Sequence, residues 1–171
     1  LNIEAEHGWL GFPGARLELV GDTESWLAKM PALAVEEKLV VAMRNARLQG
    51  EKVIPGPHAS ELGAIHSQTG TPAILASTGQ QKSLLIAVIL AHARLQQRRL
   101  GRPPLMLFDD VAAHLDIERR RSLFEAVGEF GTQSWFSGTD IDDFIGLENQ
   151  AQIIQIAFAD TDGVSAVIEV T

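Results

Sequence analysis

The sequence predicts an α/β fold with part of a helical lobe at its start. Three observations predict it. Leu105-Met106-Leu107-Phe108 is apolar at every position, as a central strand covered on both faces would be, and it ends in Asp109-Asp110. Helical patterns opened by Ser77 and by Asp116 stand on either side of that strand, so helix and strand alternate as in a layered sheet. Upstream, a charged helical stretch from Leu33 to Leu48 is cut off by Gly50 and by Pro55-Gly56-Pro57.

Residues 1–21 are rich in glycine and read as short extended pieces. Ala15-Arg16-Leu17-Glu18-Leu19-Val20 alternates in the strand period before a Gly21-Asp22 turn. The helix that follows carries Leu33, Val40, Met43 and Leu48 among charges, as an arm or second lobe would, with Gly50 placed to end it. The proline cluster puts a boundary near residue 50, dividing residues 1–50, the end of a helical arm, from residues 51–171. A loop follows.

Ser77 then suits an N-cap, with Gln80 three residues on, and Leu84, Leu85, Val88, Ile89 and Leu95 give the helix an apolar stripe. Gly101-Arg102-Pro103-Pro104 leads into the central strand. Asp116 can cap a helix running through Leu123, Phe124 and Val127, and Ser134-Trp135-Phe136-Ser137 reads as the neighbouring parallel strand. Gln152–Ala159 and Val164–Val170 flank Asp160-Thr161-Asp162-Gly163, a hairpin signal.

Composition narrows the function classes. With 171 residues, 46% of them hydrophobic, one core and a small appendage can be buried. The absence of cysteine excludes disulfides and thiolate metal sites and fits a reducing compartment. The longest apolar run, Leu84 to Ala91, is too short to span a membrane, and no basic targeting segment follows Leu1, so the expected compartment is the cytoplasm. A formal charge of −8 argues against a broad DNA-binding face on this piece, since phosphate neutralisation needs clustered Lys and Arg. Two basic clusters, Arg94-Arg98-Arg99-Arg102 and Arg119-Arg120-Arg121, read as solvated helix ends.

Chemistry concentrates in two segments. A strand delivers its last residues to the carboxyl rim of an α/β sheet, where ligands bind. Adjacent acids there have distinct uses in a nucleoside triphosphatase: one holds Mg²⁺, and the other orients or deprotonates the attacking water. Ser77-Thr78-Gly79-Gln80-Gln81-Lys82 places a hydroxyl and free backbone N–H groups at a helix N-terminus, where the dipole favours an anion such as a γ-phosphate. A plain capping box also describes Ser77 and Gln80 fully. A phosphate-cradling Gly-x-x-x-x-Gly-Lys-Ser/Thr loop is absent, since Gly79-Gln80-Gln81-Lys82-Ser83 lacks the required glycines. The expected reading is the C-terminal part of a longer ATPase.

The order of these segments, with Leu115-Asp116 after the acids, resembles the signature segment, Walker B strand and D-loop of ABC-type ATPases. The best resemblance is to the RecF recombination mediators, relatives of the SMC and Rad50 ATPases. It covers most of the chain and is densest from Gly56 to Asp143. It rests on Gly56-Pro57-His58, Ser77-Thr78-Gly79-Gln80-Gln81-Lys82, Leu107-Phe108-Asp109-Asp110-Val111, Leu115-Asp116 and Thr139-Asp140.

The resemblance implies the C-terminal part of an ABC-type, P-loop NTPase-like head joined to a helical arm lobe. It implies ATP and Mg²⁺ as ligands, an ATP-dependent homodimer, and binding of double-stranded and gapped DNA mainly through parts outside this chain. Slow DNA-stimulated hydrolysis by the full-length protein, and cooperation with RecR and RecO in loading RecA during gap repair, are implied too; this piece alone would be inactive. By position, Ser77, Gly79 and Gln80 would contact the γ-phosphate held by the opposite subunit, with Lys82 supporting that loop. Asp109 would be the Mg²⁺ acid, through water, and Asp110 the catalytic carboxylate. Asp116 would act across the dimer, and Thr139 stands near the switch position. Two positions depart from the family: Ala59 follows His58 where an arginine is usual, and Ala113 replaces the D-loop serine. His58 itself reads as a packed or hydrogen-bonded loop residue. Two other readings compete, a dimerisation or RecR-docking module without catalytic duty and a transporter-type ATPase domain.

Overall fold

A computed structural model describes residues 1–50, 56–147, 150–158 and 165–170. Contacts divide the chain into two compact units, Leu1–Pro104 and Leu105–Thr171.

The first unit begins with a short helix, α1 (Asn2–Glu6), where extended chain was expected. Its Asn2 amide works as a strand would: Nδ2 donates to the Leu17 carbonyl at 2.9 Å, and Oδ1 accepts the Leu17 N–H at 2.6 Å. Strand β1 (Ala15–Val20) matches the alternating segment. Gly14, just before it, lies so near the Glu6 carbonyl that a Cβ would come within 2.1 Å of that oxygen. The expected Gly21-Asp22 turn instead starts a helix, α2 (Asp22–Leu27), which packs on α3 (Ala32–Gln49) with Lys38 Nζ 4.3 Å from the centre of the Trp26 ring. Gly50 ends α3 in the left-handed conformation, φ 67°, where glycine carries no Cβ penalty.

Strand β2 (Glu61–His66) forms where a loop was expected, and it pairs antiparallel with β1 from Ala15↔His66 to Val20↔Glu61. Its alternation is too weak to read, since Gly63 and Ala64 interrupt it; the pairing is contributed by β1. Helices α2 and α3 are thus inserted between two paired strands, and the expected boundary near residue 50 falls between them. Residues 51–55, including Pro55, lie outside the described residues.

Helix α4 (Thr78–Leu100) is the spine of the first unit and ends at Gly101, φ 70°. Its buried face is Leu84, Ala87, Leu90 and Ala91, and α1, β1 and Ala73 pack near it. The expected stripe is corrected at Leu85 and Ile89, which are exposed, because the inward face follows the small residues Ala87 and Ala91, over which α1 and β1 can approach closely. Leu84 and Leu90 are fully buried, so truncating either to alanine costs about 2–5 kcal/mol.

In the second unit, β3 (Met106–Phe108) and β4 (Ser134–Phe136) pair in parallel, Phe108 opposite Phe136, with α5 (Ile117–Glu129) between them in sequence. The rings of Phe108 and Phe136 stack at 4.6 Å, and Phe124 of α5 meets Phe136 edge-on at 5.2 Å. Leu123, Ala126 and Val127 complete that layer. The expectation that every β3 position is covered is corrected: Met106 and Phe108 are buried, whereas Leu105 and Leu107 are 55% and 72% exposed. Met106 and Phe108 thus mark the packed face of β3, and among the described residues the face with Leu105 and Leu107 is exposed. Strands β5 (Ile154–Phe158) and β6 (Ser165–Val170) form an antiparallel pair with an irregularity between Gln155 and Ile156. The expected turn Asp160-Thr161-Asp162-Gly163 between them lies outside the described residues.

Candidate functional site

Helix α4 starts as its sequence requires. Ser77 Oγ accepts the Gln80 N–H at 3.4 Å, and Gln80 Oε1 accepts the Ser77 N–H at 3.0 Å, a complete capping box. Gln81 reaches back over the turn, its Nε2 donating to the Ala73 carbonyl at 2.8 Å. The N–H groups of Thr78 and Gly79, in the first helical turn, have no intrahelical acceptor. Gly79 is exposed, and a Cβ built there meets nothing within 4 Å. Nothing in the local packing demands glycine at that position. Lys82 is half-buried one turn further on, and Ser83 Oγ is tied to the Gly79 carbonyl at 2.9 Å.

In the second unit the parallel register of β3 and β4 aligns Asp109 with Ser137. Ser137 N–H donates to the Phe108 carbonyl at 2.9 Å, extending the ladder by one residue. Its hydroxyl donates to Asp109 Oδ1 at 2.5 Å and accepts the Asp110 N–H at 3.1 Å. One hydroxyl therefore holds both acids. Asp110 has φ 52°, a left-handed conformation that Asp adopts at modest strain. Asp110 Oδ2 lies 3.4 Å from His114 Nε2, while Oδ1 is buried and finds no hydrogen-bond partner among the described residues.

Asp116 caps α5, its Oδ1 accepting the Arg119 N–H at 2.8 Å. Thr139 is exposed, and beyond it Asp140 caps a short turn, Ile141–Phe144, by accepting the Asp142 N–H at 3.0 Å. The structure thus joins Asp109 and Asp110 directly through Ser137, and places Asp116 and Thr139 at the starts of the elements that follow each strand. Ser77, Gly79, Gln80 and Lys82 stand together on the opening turns of α4. His58 lies in an exposed turn, Pro57–Ala59.

Two residues escaped the sequence reading. Ser137 could have been found, because a parallel strand of equal length sets it opposite Asp109. Arg120 could not: in Arg119-Arg120-Arg121 nothing marks which guanidinium turns inward. The solvated reading of that cluster is corrected for Arg120, which pairs with Asp143. The other cluster is also partly engaged, with Arg94 3.9 Å over the Trp9 ring and Arg98 paired with Glu4.

Among known proteins, the chain is 38% identical over 148 residues to the DNA replication and repair protein RecF of Mesorhizobium japonicum, covering 85% of the chain and 39% of that protein. RecF of Brucella abortus is 38% identical over 156 residues, 90% of the chain and 41% of the relative. The chain is a relative of RecF, matching its C-terminal part. It spans about two fifths of the length of these relatives. No family model matches it. Among solved structures it resembles RecF bound to ATP, with a TM-score of 0.59 at 16% identity over 98% of the chain and 44% of that structure. An SMC head bound to the C-terminal winged-helix domain of ScpA gives 0.54 at 17% identity, over 98% and 41%. These likenesses place the fold with ABC-type ATPase heads, as the resemblance implied. Among the described residues, no helix is long and apolar enough to cross a membrane.

Proposed function

We propose that the chain works as the C-terminal part of a RecF-type ATPase head in DNA recombination and repair, with the phosphate-binding loop supplied by the rest of a longer protein. The observation that carries this is the pair Asp109-Asp110, held at the end of β3 by Ser137 of the parallel neighbour strand, in a chain that shares 38% identity with RecF. A strand-end acid pair of this kind suits phosphoryl transfer to water.

The residues fit Mg²⁺ as a companion of nucleotide phosphates. Asp109 is exposed and offers hard oxygen donors, and among the described residues no three acids or histidines converge into a protein-only cage. Mg²⁺ needs no such cage, since it keeps several waters and takes one or two carboxylates with substrate phosphates. When bound it would neutralise phosphate charge. In this reading Asp109 holds it through water and Asp110 orients the attacking water. Ser77, Gly79, Gln80 and Lys82 form the signature surface that meets the γ-phosphate on the opposite head, with the N–H groups of Thr78 and Gly79 as donors. Asp116 acts across the same dimer, and Thr139 senses the phosphate. Helix α3 belongs to the arm lobe. Double-stranded or gapped DNA, RecR and RecO are the partners, in a cytoplasmic pathway that ends in RecA loading.

The test is ATP hydrolysis by the whole protein across a concentration series, with and without double-stranded DNA. A rate per subunit that rises with concentration and DNA, and that Asp110→Asn abolishes, supports the reading. A rate untouched by Asp110→Asn removes the catalytic role. A second reading, a docking or dimerisation module without turnover, draws on the capping box, which bonds Ser77 and Gln80 to each other.

A further inference from the structure

Arg120 is the more enclosed member of three consecutive arginines, and its guanidinium spans two loops. Nη1 donates to the Asp142 carbonyl at 2.8 Å. Nη2 donates to the Leu115 carbonyl at 3.4 Å and pairs with Asp143 Oδ1 at 3.2 Å. The side chains of Arg120 and Asp143 are only 15% and 13% exposed, whereas Arg119 pairs with Asp116 in the open at 3.4 Å.

Both loops carry candidate site residues. Leu115 immediately precedes Asp116, and the Arg120 N–H donates to the Asp116 carbonyl at 2.9 Å. Asp142 and Asp143 belong to the turn that begins two residues after Thr139 and is capped by Asp140. That turn is itself folded tightly, since a Cβ on Gly138 would come within 2.8 Å of the Phe144 ring. It also packs on the turn Ala112–His114, which leads into Leu115.

We propose that Arg120 is a positioning residue that locks the Asp116 loop and the Thr139 loop into one body, so that contacts across the dimer and phosphate sensing within one head change together. This rests on the proposed ATPase role. The chemistry calls for arginine, because a planar fork can serve two carbonyls and a carboxylate at once, whereas a lysine ammonium is a single compact charge. The contacts of Arg120 run to Leu115, Asp116, Asp142 and Asp143, so its role would pass through the loops that carry Asp116 and Thr139.

The test uses the whole protein with Arg120→Lys, Asp143→Asn and Asp110→Asn. Hydrogen exchange of residues 112–116 and 138–144 is followed beside kcat and KM for ATP. Arg120→Lys is expected to speed exchange in both segments together and to lower kcat about 10- to 100-fold with KM little changed, as a small misplacement of catalytic groups does. Should Arg120→Lys fail to fold, Asp143→Asn reads the same link, with both segments loosening again. Loosening of one segment alone overturns the proposal. So does loosening of both with kcat unchanged while Asp110→Asn is inactive. If Asp110→Asn still hydrolyses ATP, the site reading falls, and the positioning role falls with it.

Discussion

The Ser137 hydroxyl donates to Asp109 Oδ1 across the β3–β4 ladder, and Ser137 Oγ also accepts the N–H of Asp110. A single side chain from one strand thereby sets the aim of a carboxylate and the backbone of its neighbour on the other. Ser137→Ala removes both bonds at an exposed site where water can replace them, so the stability cost is about 0.5–1.5 kcal/mol. The functional cost is larger. The whole protein carrying Ser137→Ala is expected to need more Mg²⁺ for half-maximal ATP-driven dimerisation, measured by sedimentation, and Ser137→Thr restores the wild-type requirement. An unchanged Mg²⁺ requirement would show that Asp109 holds its orientation without help.

In the proposed reading Asp110 pairs a chemical role with a backbone one. At φ 52° it occupies a region that Asn tolerates as well as Asp, so Asp110→Asn keeps the turn and shifts stability by less than about 1 kcal/mol. Hydrolysis at saturating ATP is expected to fall about 10²- to 10⁴-fold, the range for loss of a positioned general base. A large drop in the unfolding midpoint accompanying the lost activity would instead point to strain at the turn.

Gly79 separates structure from function by the sign of one free energy. A Cβ there meets open space, and alanine favours a helix over glycine by about 0.5–1 kcal/mol, so Gly79→Ala is expected to stabilise the protein against urea. ATP-dependent dimerisation is expected to weaken, because the added methyl occupies the approach to the Thr78 and Gly79 N–H groups. Stabilisation with normal dimerisation would leave Gly79 without a ligand role.

Ser77 allows a sharper test. Ser77→Asp retains a good N-cap, since a carboxylate accepts the Gln80 N–H as the hydroxyl does, whereas Ser77→Ala loses about 0.5–2 kcal/mol. A negative charge at the opening of α4 repels a phosphate. Ser77→Asp should therefore unfold like the wild type and fail to dimerise with ATP. Dimerisation at the wild-type ATP concentration would assign Ser77 to the cap alone.

Much of this molecule was readable in the chain. The α3, α4 and α5 helices, the strands β1, β3 and β4, the Ser77 capping box, the Asp116 cap and the Gly50 and Gly101 termini all follow from local rules, and each is present. The parallel pairing of β3 with β4 was readable too, from two apolar strands joined by a helix. Strand β2 was not, since its own pattern is faint and its ladder bonds come from β1, more than forty residues away in sequence. The exposed side of β3 was hidden for a related reason. An all-apolar run records what a strand is suited to bury, and Leu105 and Leu107 stay exposed among the described residues.

The sequence by itself determined most of the elements, the acid pair and the family resemblance, because capping, periodicity and short motifs act over a few residues. Only the tertiary structure decided how one hydroxyl bonds to both acids and which of three arginines turns inward. Those choices depend on strand register and on the inward face of α5, and both are settled when distant segments compete for the same buried space.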